Sequence, residues 1–484
     1  MILATIVIYL AIVVALGVAA SRRAGMTTEE FFLAGRSLGP IALFVALFGT
    51  NVTAFGILGF PGMACRSGVG VFGFFGAVTA FFAPFCFILI GYPIWRIGKR
   101  NGYTTPAEML SDRWQSSTVG RVVLVLLLFY TFLYLAVGLV GGGHALSRVA
   151  DIDYLWSALL LTGGAVLYTG LGGMRGTAWT NVFQASLFLI VLIVASIAIA
   201  NALGGPTAIY EQIAAEKPGL LIQEPKGLMS PGVWAAGFLV GPMSVIAFPH
   251  IFMRLLAARD MRAMRTSIRL YPWAMLLLFV PGTFIGMWGA AHLGLTGQDA
   301  DYVLPELADQ LLSPWFSAVV LAGILAAVMS SLDAQLLTIA AMLLVDLPAR
   351  TRNAARGRIR LLVIAGAAFG FALWHQGTIF SLAQYFFSGF TLMVPILVAA
   401  LFWRRSTSAG VLAACVTGHG LLLLYFGGEL GMQIDMSDWK FGTLPVVWCL
   451  LAEIVVLIAV SLATAPPPQI VLEKFADPFG RTEA

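Results

Sequence analysis

The chain is predicted to be an all-α polytopic membrane protein of about thirteen transmembrane helices, and three observations carry that prediction. Of its 484 residues, 60% are hydrophobic and only 11% are charged, whereas a soluble domain carries roughly 25% charged residues. The apolar residues gather into runs long enough to cross a hydrocarbon layer, which takes about 20 residues of helix. Lys and Arg collect on alternate breaks between those runs, as positive-inside topology requires.

Taken in order, the apolar runs cover residues 2–20, 38–63, 70–95, 121–147, 154–171, 178–203, 231–252, 270–294, 315–347, 359–375, 379–403, 409–427 and 442–465. The first lacks a charged leader region and a small-residue cleavage site, so it reads as a retained helix and not as a signal peptide. An odd number of spans puts the termini on opposite sides. With the N-terminus outside, all 28 Lys and Arg except Arg66, Arg148, Lys217, Lys226 and Lys440 fall on the inner side. The expectation is a multi-pass plasma-membrane protein of bacterial inner-membrane type, N-terminus outside and C-terminus cytoplasmic. Topology accounts for the basic residues, Arg254 on the inner side among them, so no nucleic-acid partner is expected.

No large soluble domain interrupts the spans. The longest outer connections, about 204–230 and 295–314, read as loops, and the tail 466–484 is too short to fold alone. Trp156, Trp315, Trp403 and Trp439 fall near span ends, where interfacial belts lie. Cys65, Cys86, Cys415 and Cys449 are scattered and offer neither a disulfide framework nor a metal motif. A single transmembrane domain results, embedded in a lipid bilayer as a monomer or weak oligomer, with its function between helices.

Gly68–Gly73 matches GxGxxG, but it follows a membrane span and not a strand, so it does not mark a dinucleotide site. The sequence contains no Walker A motif and no HExxH. Enzymatic and ATP-driven readings give way to transport driven by an ion gradient.

Two spans are interrupted. The second contains Gly49-Thr-Asn-Val-Thr-Ala-Phe-Gly56, and the seventh contains Gly237, then Gly241-Pro-Met-Ser244, ahead of Phe248-Pro249-His250. Unwound backbone in mid-membrane is tolerated only where it faces protein or an aqueous cavity. Two interrupted helices five spans apart, each opening a block of five, are the pattern of inverted-repeat transporters. The repeats are then 38–203 and 231–403, with 2–20 as one accessory helix and 409–465 as two more.

The ninth span holds a polar island, Ala326-Ala-Val-Met-Ser-Ser-Leu-Asp-Ala-Gln335. On a helix Ala327, Ser330 and Ser331 share a face and Asp333 continues it by a turn. Buried without partners, such groups cost several kcal/mol, on the order of 2–7 by transfer estimates. An ion, a solute or another helix is implied.

Several further stretches complete a resemblance: Phe31–Pro40, Tyr103–Glu108 with Asp112 and Arg113, Gly172–Gln184, Pro249–Arg254, Ala326–Leu337, and Phe402–Arg405 followed by Gly410. Together they resemble the sodium/solute symporter family of sodium/proline permeases and sodium/glucose transporters. The resemblance implies a leucine-transporter-type fold with a 5+5 inverted repeat. It also implies a sodium ion held by the carbonyls of Gly49, Val52 and Ala327 and the hydroxyls of Ser330 and Ser331.

Many sodium-coupled members carry aspartates near Asn51 and at Asn181, where this chain has amides. Asp333 is the candidate replacement charge or release site, and Asn181 a coupling residue. A buried carboxyl can also titrate, so a proton stays open as the coupling ion. The solute is expected beside the broken helices, near Thr50, Asn51, Thr53, Phe55, Gly56, Gly241, Ser244, Gln384, Tyr385 and Ser388. An organic acid, an amino acid or a polar neutral solute all remain open. The expected function is sodium-coupled import of a small organic solute by alternating access. Uncoupled transport and a non-transporting sensor of the same fold are the alternatives. Glu453 reads as a packing or oligomer-contact residue, and His419 and His250 read as structural hydrogen-bonders.

Overall fold

The computed structural model describes residues 2–21, 27–223, 225, 227–347, 354–374, 379–427 and 442–479. Among them there is no strand, only an isolated bridge between Leu38 and Ala258. Of the basic and aromatic positions weighed above, Arg22, Arg23, Lys226, Arg350, Arg352, Trp439, Lys440 and Arg481 lie outside the described residues.

Nine described helices are long and apolar enough to cross a membrane, and eleven if each of two bent pairs is one span. The expected runs 154–171 and 359–375 do not enter that set. The first is joined to the next run in one helix, Tyr154–Ala202, kinked at Gly173 alone. A loop of several residues was expected there. Gly173 has φ 53°, and a Cβ on it would stand 2.7 Å from the Phe31 carbonyl, so only glycine fits this kink. The second is the Ala354–Trp374 helix, apolar only over Leu362–Trp374.

Helix starts follow the local chemistry. Pro40, Pro231, Pro249, Pro314 and Pro445 open helices, where the missing N–H costs nothing. Thr105, Ser116, Asp260 and Thr407 cap others by accepting a backbone N–H. Every residue of the Pro314–Val345 helix from Val320 to Met342 is buried, against the Tyr154–Ala202, Ser117–Ala150 and Pro40–Asn51 helices. The polar island therefore sits at the centre of the protein. Leu3, Val7, Ile8 and Ile12 of the first helix are exposed, as a lipid-facing side requires.

Both expected breaks are present, but the second lies elsewhere. Pro40–Asn51 and the stretch Phe55–Ser67 meet at 64°, and Pro231–Ala247 and Pro249–Leu256 meet at 51°. The latter bend is at Phe248, whose extended conformation (φ −62°, ψ 123°) is the one preferred before a proline. Gly237, Gly241 and Pro242 stay inside the preceding helix. Gly237 packs on the Phe74 ring, and a Cβ on Gly241 would stand 2.8 Å from Phe75, so these glycines serve close packing instead of a break.

The tail is docked against the body. The short Gln469–Lys474 helix places Lys474 Nζ 2.9 Å from Asp112 Oδ2, and the Phe475 ring lies under the Arg113 guanidinium at 5.6 Å. All four cysteines are buried and free. Glu453 is buried against Gly418, so a lipid-facing oligomer contact does not describe it.

Candidate functional site

The first break builds the site. Val52 leaves the helix (φ −85°, ψ 111°), with its N–H still bonded to the Phe48 carbonyl. Helix resumes at Ala54 and runs through a π stretch, Phe55–Gly59. A carbonyl released from the ladder in mid-membrane needs a partner, and Ser330 supplies one. Its hydroxyl oxygen lies 2.8 Å from Gly49 O and 2.8 Å from Ala327 O. One hydroxyl has one proton to donate, so two carbonyls and a hydroxyl compete for a single bond. Such a set of neutral oxygens is what a hard cation takes as ligands. Ser331, in contrast, donates to Val328 O at 2.8 Å, a back-bond within its own helix.

One turn further, Asp333 is fully buried. Thr180 Oγ1 donates to its Oδ2 at 3.4 Å, while Oδ1 has no hydrogen-bond partner among the described residues. Asn181 belongs to the same neighbourhood: a Cβ on Gly49 would stand 3.7 Å from the Asn181 Cβ, and neither amide atom of Asn181 has a partner among the described residues.

The Pro249–Leu256 helix packs against the Pro314–Val345 helix and carries a second buried charged side chain, Arg254. By sequence Arg254 was assigned to an inner loop; in the structure it is fully buried in the Pro249–Leu256 helix. Only Nη1 is engaged, 3.5 Å from the His250 carbonyl, and Nε and Nη2 are without partners among the described residues. The second break swings this short helix under the core and carries Arg254 with it. The signal was present in the spacing Pro249-His-Ile-Phe-Met-Arg254, whose intervening residues are too apolar for an aqueous loop.

Beyond the first break lies a cavity of about 380 Å³. Four expected lining residues reach it: Phe55, Gly241, Gln384 and Ser388. The others do not. Thr50 bonds Ala46 O at 2.7 Å, Asn51 Nδ2 donates to Tyr271 OH at 2.6 Å, and Thr53 accepts from Phe55 N at 3.1 Å. Gly56 packs toward Val52 and Leu278, Ser244 back-bonds to Gly241 O at 2.7 Å, and Tyr385 meets the Phe426 ring at 4.2 Å. Sequence reasoning missed Phe75, Phe380 and Phe387, which line the cavity with Phe55. Each lies within an ordinary apolar run, so nothing in the sequence set these rings apart from core.

Residues 31–418 match the description "Sodium:solute symporter family", which covers most of the chain. The chain belongs to the sodium:solute symporter family. Membership makes it a sodium-coupled carrier of a small solute, not an enzyme, and settles the coupling ion as sodium. Among curated members of the family, it is 26% identical to the high-affinity proline transporter PutP of Bacillus subtilis, over 93% of this chain and 95% of that one. It is 27% identical to the sodium/proline symporter of Escherichia coli, over 87% of each. Of solved structures, a Na⁺-coupled sialic acid symporter in a substrate-bound outward-open state superposes with a TM-score of 0.79 at 17% identity, covering 97% of this chain and 99% of that one. That likeness establishes the leucine-transporter-type fold of this symporter.

Proposed function

We propose that this symporter binds sodium among Gly49, Val52, Ala327, Ser330 and Ser331, and a small organic solute in the adjoining cavity lined by Phe55, Gly241, Gln384 and Ser388. The observation that carries the reading is the Ser330 hydroxyl set between two carbonyls of different helices. Sodium entering there replaces one shared proton as the link between the broken helix and the Pro314–Val345 helix. Tightening that link beside Phe55 is how ion binding would raise solute affinity, since Phe55 is three residues beyond Val52 on the same broken helix.

The two bends support repeats at 38–203 and 231–403, with accessory helices 2–20 and 409–465. Alternating access then has the broken helices and their neighbours rock against the remainder. The distribution of Lys and Arg favours an N-terminus outside, a cytoplasmic tail and residence in a bacterial-type plasma membrane. Asp333, with its unpartnered oxygen, and Asn181 form a way-station for sodium on its inward path, charge-balanced by Arg254.

The test is uptake in proteoliposomes. Solute accumulation is expected to follow an inward sodium gradient and to lose that dependence in Ser330→Ala. Accumulation that follows a pH gradient and ignores sodium would remove this site from the coupling scheme.

A further inference from the structure

We infer that the transported solute is an apolar-bodied monocarboxylate, with an aromatic or branched hydrocarbon body and one anionic head. This rests on the cavity being the solute site, as proposed above.

The cavity is walled by rings. Phe55, Phe75 and Phe387 meet one another at centroid separations of 5.0, 5.2 and 5.3 Å, and Phe380 stacks near Phe55 at 6.4 Å. Aromatic faces and edges arranged this way contact a flat or branched hydrocarbon well. They offer nothing to a solute covered in hydroxyls, which would lose its water bonds without replacement.

The polar groups are few and lie together. Gln384 and Ser388 are four residues apart on the Ile379–Phe402 helix and share a face. Both line the cavity, and no hydrogen bond between described residues occupies either side chain. The Thr443 hydroxyl is already used, donating to Gly232 O at 3.0 Å. Gln384 and Ser388 can therefore donate to one compact acceptor such as a carboxylate.

Charge completes the argument. No Lys, Arg, Asp or Glu is among the described lining residues. A cationic group on the solute would find no carboxylate among the described lining residues and would sit near the proposed sodium site, where like charges repel. A second anionic group would have no counter-charge. A single carboxylate is offset by the co-transported sodium.

The experiment is thermal unfolding of the purified full chain in sodium chloride and in potassium chloride. The probes are phenylacetate, L-phenylalanine, succinate and glucose. Bound ligand raises the midpoint, so phenylacetate is expected to stabilise in sodium only and to exceed the other three. Phe387→Ala should weaken its apparent affinity by about tenfold, while the shift produced by sodium alone persists and certifies the fold. If glucose, succinate or L-phenylalanine stabilises more than phenylacetate, or if none of the four does while sodium alone shifts the midpoint, the solute class is wrong and the sodium site stands. If phenylacetate stabilises equally in potassium, the solute class stands and the proposed sodium site falls.

Discussion

The hydroxyl oxygen of Ser330 lies 2.8 Å from the carbonyl oxygen of Gly49, 281 residues away in the chain. This contact joins the two helices that the proposed sodium site needs, and it distinguishes Ser330 from its neighbour Ser331, whose hydroxyl is spent on Val328. Ser330→Ala removes a ligand shared by both helices. It should raise the sodium concentration for half-maximal uptake by about tenfold or more, taking about 1.5–3 kcal/mol for a bond to a charged group. Ser331→Ala should cost less, because its hydroxyl must first leave a helix carbonyl. Sodium titrations of uptake in both variants decide the order, and equal effects would contradict it.

Asp333 and Arg254 are both fully buried on helices that pack together, and no salt bridge joins them among the described residues. Two buried groups of opposite charge that do not touch still act on each other through a low-dielectric interior, so losing one removes an offset to the other. Asp333→Asn should therefore lower the unfolding midpoint, as should Arg254→Gln. The double variant should recover part of the loss, giving a positive coupling in a double-mutant cycle. Additive losses would mean that the two charges do not act on each other.

Much of this architecture is legible in the sequence, because hydrophobic runs, basic loops and the Gly-rich break at 49–56 each act locally. Ser330 was visible for the same reason: a hydroxyl in mid-membrane stands out. What could not be read depends on tertiary placement. The bend of the second broken helix is set by Phe248 ahead of Pro249, while Gly237 and Gly241, which suggested an earlier break, are explained by two phenylalanine rings on another helix. Arg254 looked like a topology signal until that bend buried it. Phe75 and Phe387 are ordinary apolar residues until the fold aims them at one cavity.

At the far end of the first broken helix, Arg66 Nη2 lies 2.8 Å from Asp301 Oδ1, and Asp301 Oδ2 accepts the Ile379 N–H at 2.9 Å. One buried carboxylate thus ties three segments: the broken helix, the 299–302 turn and the start of the Ile379–Phe402 helix. Asp301→Ala strips both acceptors and should destabilise the fold by about 3 kcal/mol. Asp301→Asn keeps an acceptor for Ile379 and should fall between Ala and the native residue. Denaturation midpoints in that order support the three-way tie; a native-like Ala variant would refute it.

On the tail side, Asp112 accepts hydrogen bonds from Lys474, Tyr103 and Gln115. Burial raises its carboxyl, but the bonds from Lys474 and Tyr103 outweigh burial and hold it below the ordinary aspartate value. A depressed carboxyl stabilises docking fully above the ordinary value, about 3.9, and that contribution disappears as pH falls through the lowered one. Docking of the Gln469–Lys474 helix should thus be unchanged from neutral pH down to about 4 and should loosen below it. The stack of Phe475 on Tyr103 at 6.3 Å carries no charge and should persist, so the tail loosens without leaving. A nitroxide at Glu473→Cys, an exposed position, reports this as a gain in mobility on acidification. Asp112→Asn should show the mobile spectrum already at neutral pH, and a label equally immobile in that variant would show that Lys474 is not what holds the tail.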